Sequence, residues 1–167
     1  MNYSAVIPSP VGRLGIISLD HHLMHIHFVP KSCHYLSPQT EVAHVATQQL
    51  FAYFTHPADA FDLPLSLSSV SEFQQQVCKA LQRIPIGNTL TYRELADRLK
   101  TSARAIGQAC RRNPFPIVIP CHRIVAQQGL GGYHGASQGP MATVKRWLLR
   151  HEQNALKRPT NPPTPDQ

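Results

Sequence analysis

The stretch RRNPFPIVIPCHRIV, residues 111–125, constrains this chain more than any other. Three prolines, Pro114, Pro116 and Pro120, fall close together in it. None has an N–H to give to a helix or a ladder, and each restricts the residue before it. A helix that runs into Asn113 must stop there. The apolar run Ile117-Val118-Ile119 then predicts an extended segment, buried at its start. Cys121 comes where the run ends and His122 and Arg123 begin. A cysteine inside an apolar run is usually a small hydrophobe. One at its edge is placed to face something.

Cysteine beside histidine suggests a nucleophile, because an imidazole near a thiol favours the reactive thiolate. Neighbours on an extended strand point to opposite faces. His122 would therefore reach the Cys121 thiol only through a water or a bend at Pro120. A carboxylate is wanted to orient the imidazole, and Glu152 is the candidate. Adjacency alone is weak, and a structural cysteine is the plainer reading of it. The surroundings strengthen the case.

Upstream, SEFQQQVCKALQRI predicts a helix with Phe73, Val77, Ala80, Leu81 and Ile84 on one face. Ser71 with Gln74 forms its capping box, and Thr91 with Glu94 opens a second helix, TYRELADRLK. SARAIGQACRRN follows after a short turn, so the pair is expected to be a helix-turn-helix. Downstream lie the glycine-rich loop QQGLGGYHGASQGP and a last helix, MATVKRWLLRHE, with Met141, Val144, Trp147 and Leu148 expected inward.

Charge concentrates in the same region. The chain carries +7 overall, with two basic and five acidic residues in 1–78 but nine basic and two acidic in 79–123. Seven of those nine are arginine, which suits phosphate and base contacts. A polyanion is the natural partner.

The first seventy residues differ. YSAVIPSP, LGIISLD and LMHIHFV suggest three short strands divided by turns at Pro10–Gly12 and Asp20–His22. SPQTEVAHVATQQLFAYFTH suggests a helix, capped by Ser37 or Thr40, with Val42, Val45, Leu50 and Phe54 near helical spacing. AFDLPLSL is expected to be extended. The fold class is therefore α+β. A small N-terminal antiparallel sheet with a helix (1–70) precedes a mostly helical domain (71–153), and a proline-rich tail (154–167) is expected to be disordered. Cys33, Cys78, Cys110 and Cys121 show no CxxC spacing and are expected to be free thiols. No basic-then-apolar leader and no run of membrane length appears, so a cytoplasmic protein is expected.

At this point the chain resembles a family. IPCHRIV is similar to the active-site signature of the O6-alkylguanine-DNA alkyltransferases. IPIGNTLTYRELA, ARAIGQACRRNPFPIVIPCHRIV, GLGGYHG and KRWLLRHE follow the family's order. The N-terminal part resembles the family's variable, ribonuclease H-like domain in layout only.

The resemblance implies single-turnover repair. An O6-alkylguanine, with O4-alkylthymine left open, is flipped from duplex DNA and its alkyl group moves to the protein. It implies Cys121 as acceptor, His122 as base through a water, Glu152 as the group orienting it, and Tyr92 as hydrogen-bond donor to the guanine ring. Arg104 corresponds to a finger that fills the gap left by the base. Ala103 and Gly107 line a small-residue helix that enters the minor groove. Arg111, Arg112 and Arg123 would add DNA contacts. Tyr133, His134, Ile124 and Asn113 would line or brace the pocket. Many members carry serine where this chain has His134, and the loop after it is longer than usual. His21, His22, His25, His27, His34 and Cys33 crowd the N-terminal part, but one cysteine does not match the zinc ligand set of some relatives. No metal and no cofactor is expected, the partner is duplex DNA with no membrane, and a monomer is expected.

Three other readings compete: a DNA-binding regulator without chemistry, a damage sensor that cannot accept the alkyl group, and a cysteine hydrolase. Sensors replace the cysteine, and hydrolases have no need of a basic helix-turn-helix.

Overall fold

The computed structural model describes residues 2–57 and 60–157. Strands β1 (Ala5–Ile7), β2 (Arg13–Leu19) and β3 (His22–Val29) form an antiparallel sheet in that order. Its register aligns apolar side chains across all three strands. Ile16 sits between Ala5 and Ile26, and Leu14 between Ile7 and Phe28. Asp20 and His21 both take positive φ, 49° and 67°, as a two-residue hairpin matched to strand twist requires.

Helix α1 (Glu41–Thr55) packs on this sheet. Thr40 caps it, its hydroxyl accepting from the Ala43 N–H. The buried face is Ala43, Ala46, Thr47, Leu50 and Tyr53. Of the four residues expected inward, Leu50 is buried, while Val42, Val45 and Phe54 are only half-buried. Small alanines let the helix lie close to the sheet, which turns the valine edge outward.

Among the described residues, four α-helices build the second half. These are α2 (Glu72–Gln82), α3 (Tyr92–Leu99), α4 (Ala103–Arg111) and α5 (Pro140–Lys157). Ser71, Thr91 and Ser102 cap the first three through side-chain oxygens. Between α3 and α4 the chain reverses at Lys100, in the left-handed region with φ 55°. Gln74 on α2 donates to the Ala109 carbonyl at 2.7 Å, fixing α4 against the core. The short strand β4 (Leu90–Thr91) pairs in parallel with β5 (Ile124–Val125). That pairing ties the start of α3 to the chain just after Cys121.

Three expectations are corrected. Residues 117–120 are not extended; they form a turn in which Ile119 N–H bonds the Phe115 carbonyl at 2.8 Å. Cys121–Arg123 is one turn of 3₁₀ helix, leaving only Ile124–Val125 as strand. Ile117 carries φ +76°, a conformation that a β-branched residue adopts only when its surroundings force it. The buried stripe of α5 is Ala142, Lys145, Leu148 and Glu152, and Met141, Val144 and Trp147 are half-buried. Finally, α5 runs to Lys157, so residues 154–157 are helical; the rest of the expected tail lies outside the described residues.

Leu148 is fully buried in the middle of α5. Leu148→Ala should destabilise the fold by about 2–5 kcal/mol, the usual range for such a cavity. A lowered urea midpoint with an unchanged slope would register it.

Candidate active site

The prolines do more than stop α4. Asn113 spans the turn they impose, its amide donating to the Ile119 carbonyl at 2.8 Å and its oxygen accepting from the Phe115 N–H at 2.9 Å. The turn delivers Cys121 to the wall of a cavity of about 260 Å³. Tyr92, Gly107, Cys110, Arg111, Tyr133 and His134 share that wall. Burial pushes the Cys121 thiol up to about 11, with the Asn113 amide and the Lys145 ammonium offsetting part of the rise. At neutral pH the thiol therefore holds its proton and needs a base.

An imidazole stands next to it in sequence. His122 is fully buried, and its Nε2 lies 2.8 Å from Glu152 Oε2. Burial drives the Glu152 pKa upward, but hydrogen bonds from His122 and Arg123 overcome it and hold the carboxyl well below the usual carboxylate range. An ionised carboxylate only accepts, so His122 Nε2 carries the hydrogen. The imidazole is lowered by burial, with Glu152 opposing, and is neutral at pH 7. Its Nδ1 is then a free lone pair. That atom is buried and bonds no group among the described residues.

Arg123, expected on the DNA face, is instead buried. Its Nε and Nη2 fork onto Glu152 at 2.8 and 2.9 Å, and Nη1 donates to the Ile84 carbonyl at 2.5 Å. The 3₁₀ turn explains this, because it swings residues 122 and 123 toward α5 together. Tyr53, from α1, donates to the same Glu152 Oε2 at 2.7 Å.

Lys145, from α5, ties the chain after Cys121 to the glycine-rich loop. Its ammonium is buried and donates to the Ile124 and Gly132 carbonyls at 2.5 and 2.8 Å. Burial lowers its pKa to about 8. Tyr92 also donates to the Gly132 carbonyl, at 3.2 Å, and burial pushes its hydroxyl up to about 12, so it remains a donor. Gly131 is required beside it. It has φ +75°, and a Cβ there would lie 2.9 Å from the Tyr92 ring. The Tyr133 hydroxyl and His134 Nε2 are buried without partners among the described residues. His134 packs edge-on against Phe28 of β3 and against Tyr133.

Ala103, Arg104, Arg111 and Arg112 are exposed, on or at the end of α4, and Gly107 on that helix reaches the pocket. Ile124 is buried. The helix presenting arginine and the cavity holding Cys121 are thus neighbours. In the N-terminal sheet His25 and His27 stand 5.3 Å apart, ring to ring. Among the described residues no group of three or more metal-ligating side chains comes together, and no helix is long and apolar enough to cross a membrane.

Sequence reasoning missed Lys145, Tyr53 and the inward turn of Arg123. A signal for Lys145 existed. It lies two turns before Glu152 on the same helix face, so an inward Glu152 implies an inward Lys145. Nothing marked Tyr53, which is far from Glu152 in sequence and meets it only through folding.

Comparison with known proteins gives the family. Residues 2–67 match the family described as 6-O-methylguanine DNA methyltransferase, ribonuclease-like domain, and residues 72–154 its DNA binding domain. A methylated-DNA–protein-cysteine methyltransferase of Methanosarcina barkeri is 34% identical over 163 residues, covering 93% of this chain and 99% of its own. One of Mycobacterium bovis is 36% identical, covering 92% and 94%. The crystal structure of the Mycobacterium tuberculosis O6-methylguanine methyltransferase superposes with TM-score 0.78 at 33% identity, covering 93% and 94%. A structure from the same organism in complex with DNA gives 0.75 at 35%, covering 90% and 92%.

Burial lowers the pKa of both His122 and His134, the latter to about 4. Below their ordinary 6.5 these groups bind fewer protons folded than unfolded, so stability falls as pH drops. The His134 share is lost between 6.5 and about 4. Glu152, held low, adds a further loss below its ordinary 4.5. Urea midpoints measured from pH 7 to 4 should decline. His134→Asn, which tolerates the left-handed backbone there, should flatten the upper part of that decline.

Proposed function

The chain belongs to the 6-O-methylguanine DNA methyltransferase family, and on that premise we infer that it repairs O6-alkylguanine in duplex DNA by moving the alkyl group onto Cys121. The observation that carries this reading is the join of two features. A thiol that needs a base lines a cavity beside an arginine-bearing helix, and a buried histidine–carboxylate pair stands behind it.

The reaction is a displacement at an alkyl carbon. His122 Nδ1 takes the Cys121 proton, through a water if the two do not touch. The sulfur forms its bond to the alkyl carbon as the carbon–O6 bond breaks. Electrons go to the guanine, which ends with a proton and leaves intact. Glu152 keeps Nδ1 free by holding the hydrogen on Nε2 and stabilises the imidazolium that forms. Tyr92 donates to the guanine ring as charge develops on it. The thioether is stable, so each molecule acts once. An extruded base is required because the stack hides O6.

Small residues at Ala103 and Gly107 allow α4 to approach a narrow groove, and Arg104 fills the gap the base leaves. Arg111 and Arg112 meet phosphates. This binding carries little sequence preference, which suits an enzyme that inspects every guanine. Tyr133, His134 and Ile124 shape the pocket, with Asn113 bracing the turn. One chain holds both nucleophile and DNA-facing helix, so the reading needs no second copy. It puts the protein with DNA in the cytoplasm and calls on no cofactor and no metal.

Intact-protein mass spectrometry after mixing with a duplex bearing one O6-methylguanine should show a gain of about 14 Da, one CH₂ increment, on the Cys121 peptide. Cys121→Ala should abolish the gain and keep DNA binding; loss of binding as well would count against the assigned role. No gain with binding intact would favour a sensor or regulator. The transfer rate should hold steady near neutrality and fall only well below pH 6.5, where His122 takes a proton. Arg111→Ala should reduce the slope of log affinity against log salt by about 1.

A further inference from the structure

The N-terminal half has no part in the mechanism above, yet one of its side chains touches the relay. Tyr53 lies on the inner face of α1 and is 4% exposed. Its hydroxyl donates to Glu152 Oε2 at 2.7 Å, the same oxygen that His122 and Arg123 use. Successive residues of α5 hold the tyrosine at both ends. His151 Nε2 donates to the Tyr53 carbonyl at 2.8 Å, while Glu152 accepts from its hydroxyl. Phe61 and His151 pack against the ring at 5.6 and 5.5 Å. The hydroxyl cannot swing away without opening this packing.

We propose that Tyr53 is a positioning residue for alkyl transfer, through which the N-terminal domain fixes the Glu152 carboxylate in the plane and register that His122 requires.

Glu152 has two oxygens and four donors to accept from. Arg123 spans both oxygens and fixes one edge of the carboxylate. The remaining freedom is a rocking of Oε2 toward or away from the imidazole. Tyr53 approaches Oε2 from α1, the one element of the N-terminal half to bond it among the described residues, and limits that motion. Burial, Glu152 and its hydrogen bond raise the phenol's pKa far above neutrality, so the group is a permanent donor and never a competing charge. Removing the hydroxyl leaves Oε2 with less dispersed charge. It would then favour imidazolium more strongly while holding the ring less firmly. The titratable and charged groups around this point are Glu152, His151, Arg123, His122, Lys145 and Tyr133. Of these only His122 changes charge in the step.

The proposal rests on the alkyltransferase reading, and its test separates the two. Single-turnover methyl transfer to wild type, Tyr53→Phe and Phe61→Leu is followed from pH 5 to 9 against duplex concentration. Tyr53→Phe keeps the ring and loses one hydrogen bond to a charged group, so its limiting rate should fall about tenfold. The half-saturating duplex concentration should stay within about twofold, because no DNA-facing group has changed. The acid limb of its rate profile should move to higher pH. Phe61→Leu, which loosens the packing but spares the hydroxyl, should lower the urea midpoint without moving that limb. A Tyr53→Phe rate and acid limb equal to wild type would overturn the proposal. If wild type transfers nothing, the alkyltransferase reading fails instead. The His122 ring titration, followed by NMR without DNA, then decides the matter for Tyr53: a higher pKa in Tyr53→Phe supports the coupling, and an identical titration refutes it.

Discussion

A single buried carboxylate organises this molecule. Glu152 is 1% exposed and ionised, and removing such a charge from water is costly unless donors replace the water. Here the donors are Tyr53, His122 and Arg123, drawn from α1 and from the turn that carries Cys121. Each of these segments is held where it is partly because Glu152 must be satisfied. The chemistry follows from the same balance. Because the carboxylate is charged, the histidine keeps its hydrogen on Nε2, and Nδ1 is left with a lone pair that bonds no group among the described residues.

A second buried side chain, Lys145, ties the segments beside the cavity. Lys145 gathers the Ile124 and Gly132 carbonyls, one just past Cys121 and one in the glycine-rich loop. Tyr92 shares the Gly132 carbonyl. The loop, the turn at Cys121 and the start of α3 are thereby tied together by hydrogen bonds, besides the apolar packing of Ile124, Tyr133 and Leu95 in the core. The arginines divide accordingly. Arg123 neutralises charge inside, while Arg104, Arg111 and Arg112 are exposed on α4 or at its end, free to meet an anion.

The helices and their caps were legible in the sequence because capping is local chemistry. Ser71, Thr91 and Thr40 each satisfy an N–H three residues on, whatever surrounds them. The hairpin at Asp20–His21 was legible for a similar reason. The turn before Cys121 was visible as prolines but was read as a strand, because a run of Ile-Val-Ile carries no sign of a positive φ at Ile117. The inward faces of α1 and α5 were misread wherever alanine or lysine took a place expected of a larger apolar residue. Arg123 was misread because a 3₁₀ turn and a strand point neighbouring side chains in different directions.

The sequence by itself determined the local elements, the break after α4 and, through its signature run, the family. These depend on spacing along the chain, which a linear reading captures. Only the tertiary structure decided which oxygen of Glu152 meets which donor, that Arg123 turns inward, and that Tyr53 reaches the relay from the other half of the molecule. Those facts depend on how α1 and α5 pack. The packing balances desolvation against hydrogen bonding over residues far apart in sequence, and no local pattern encodes that balance.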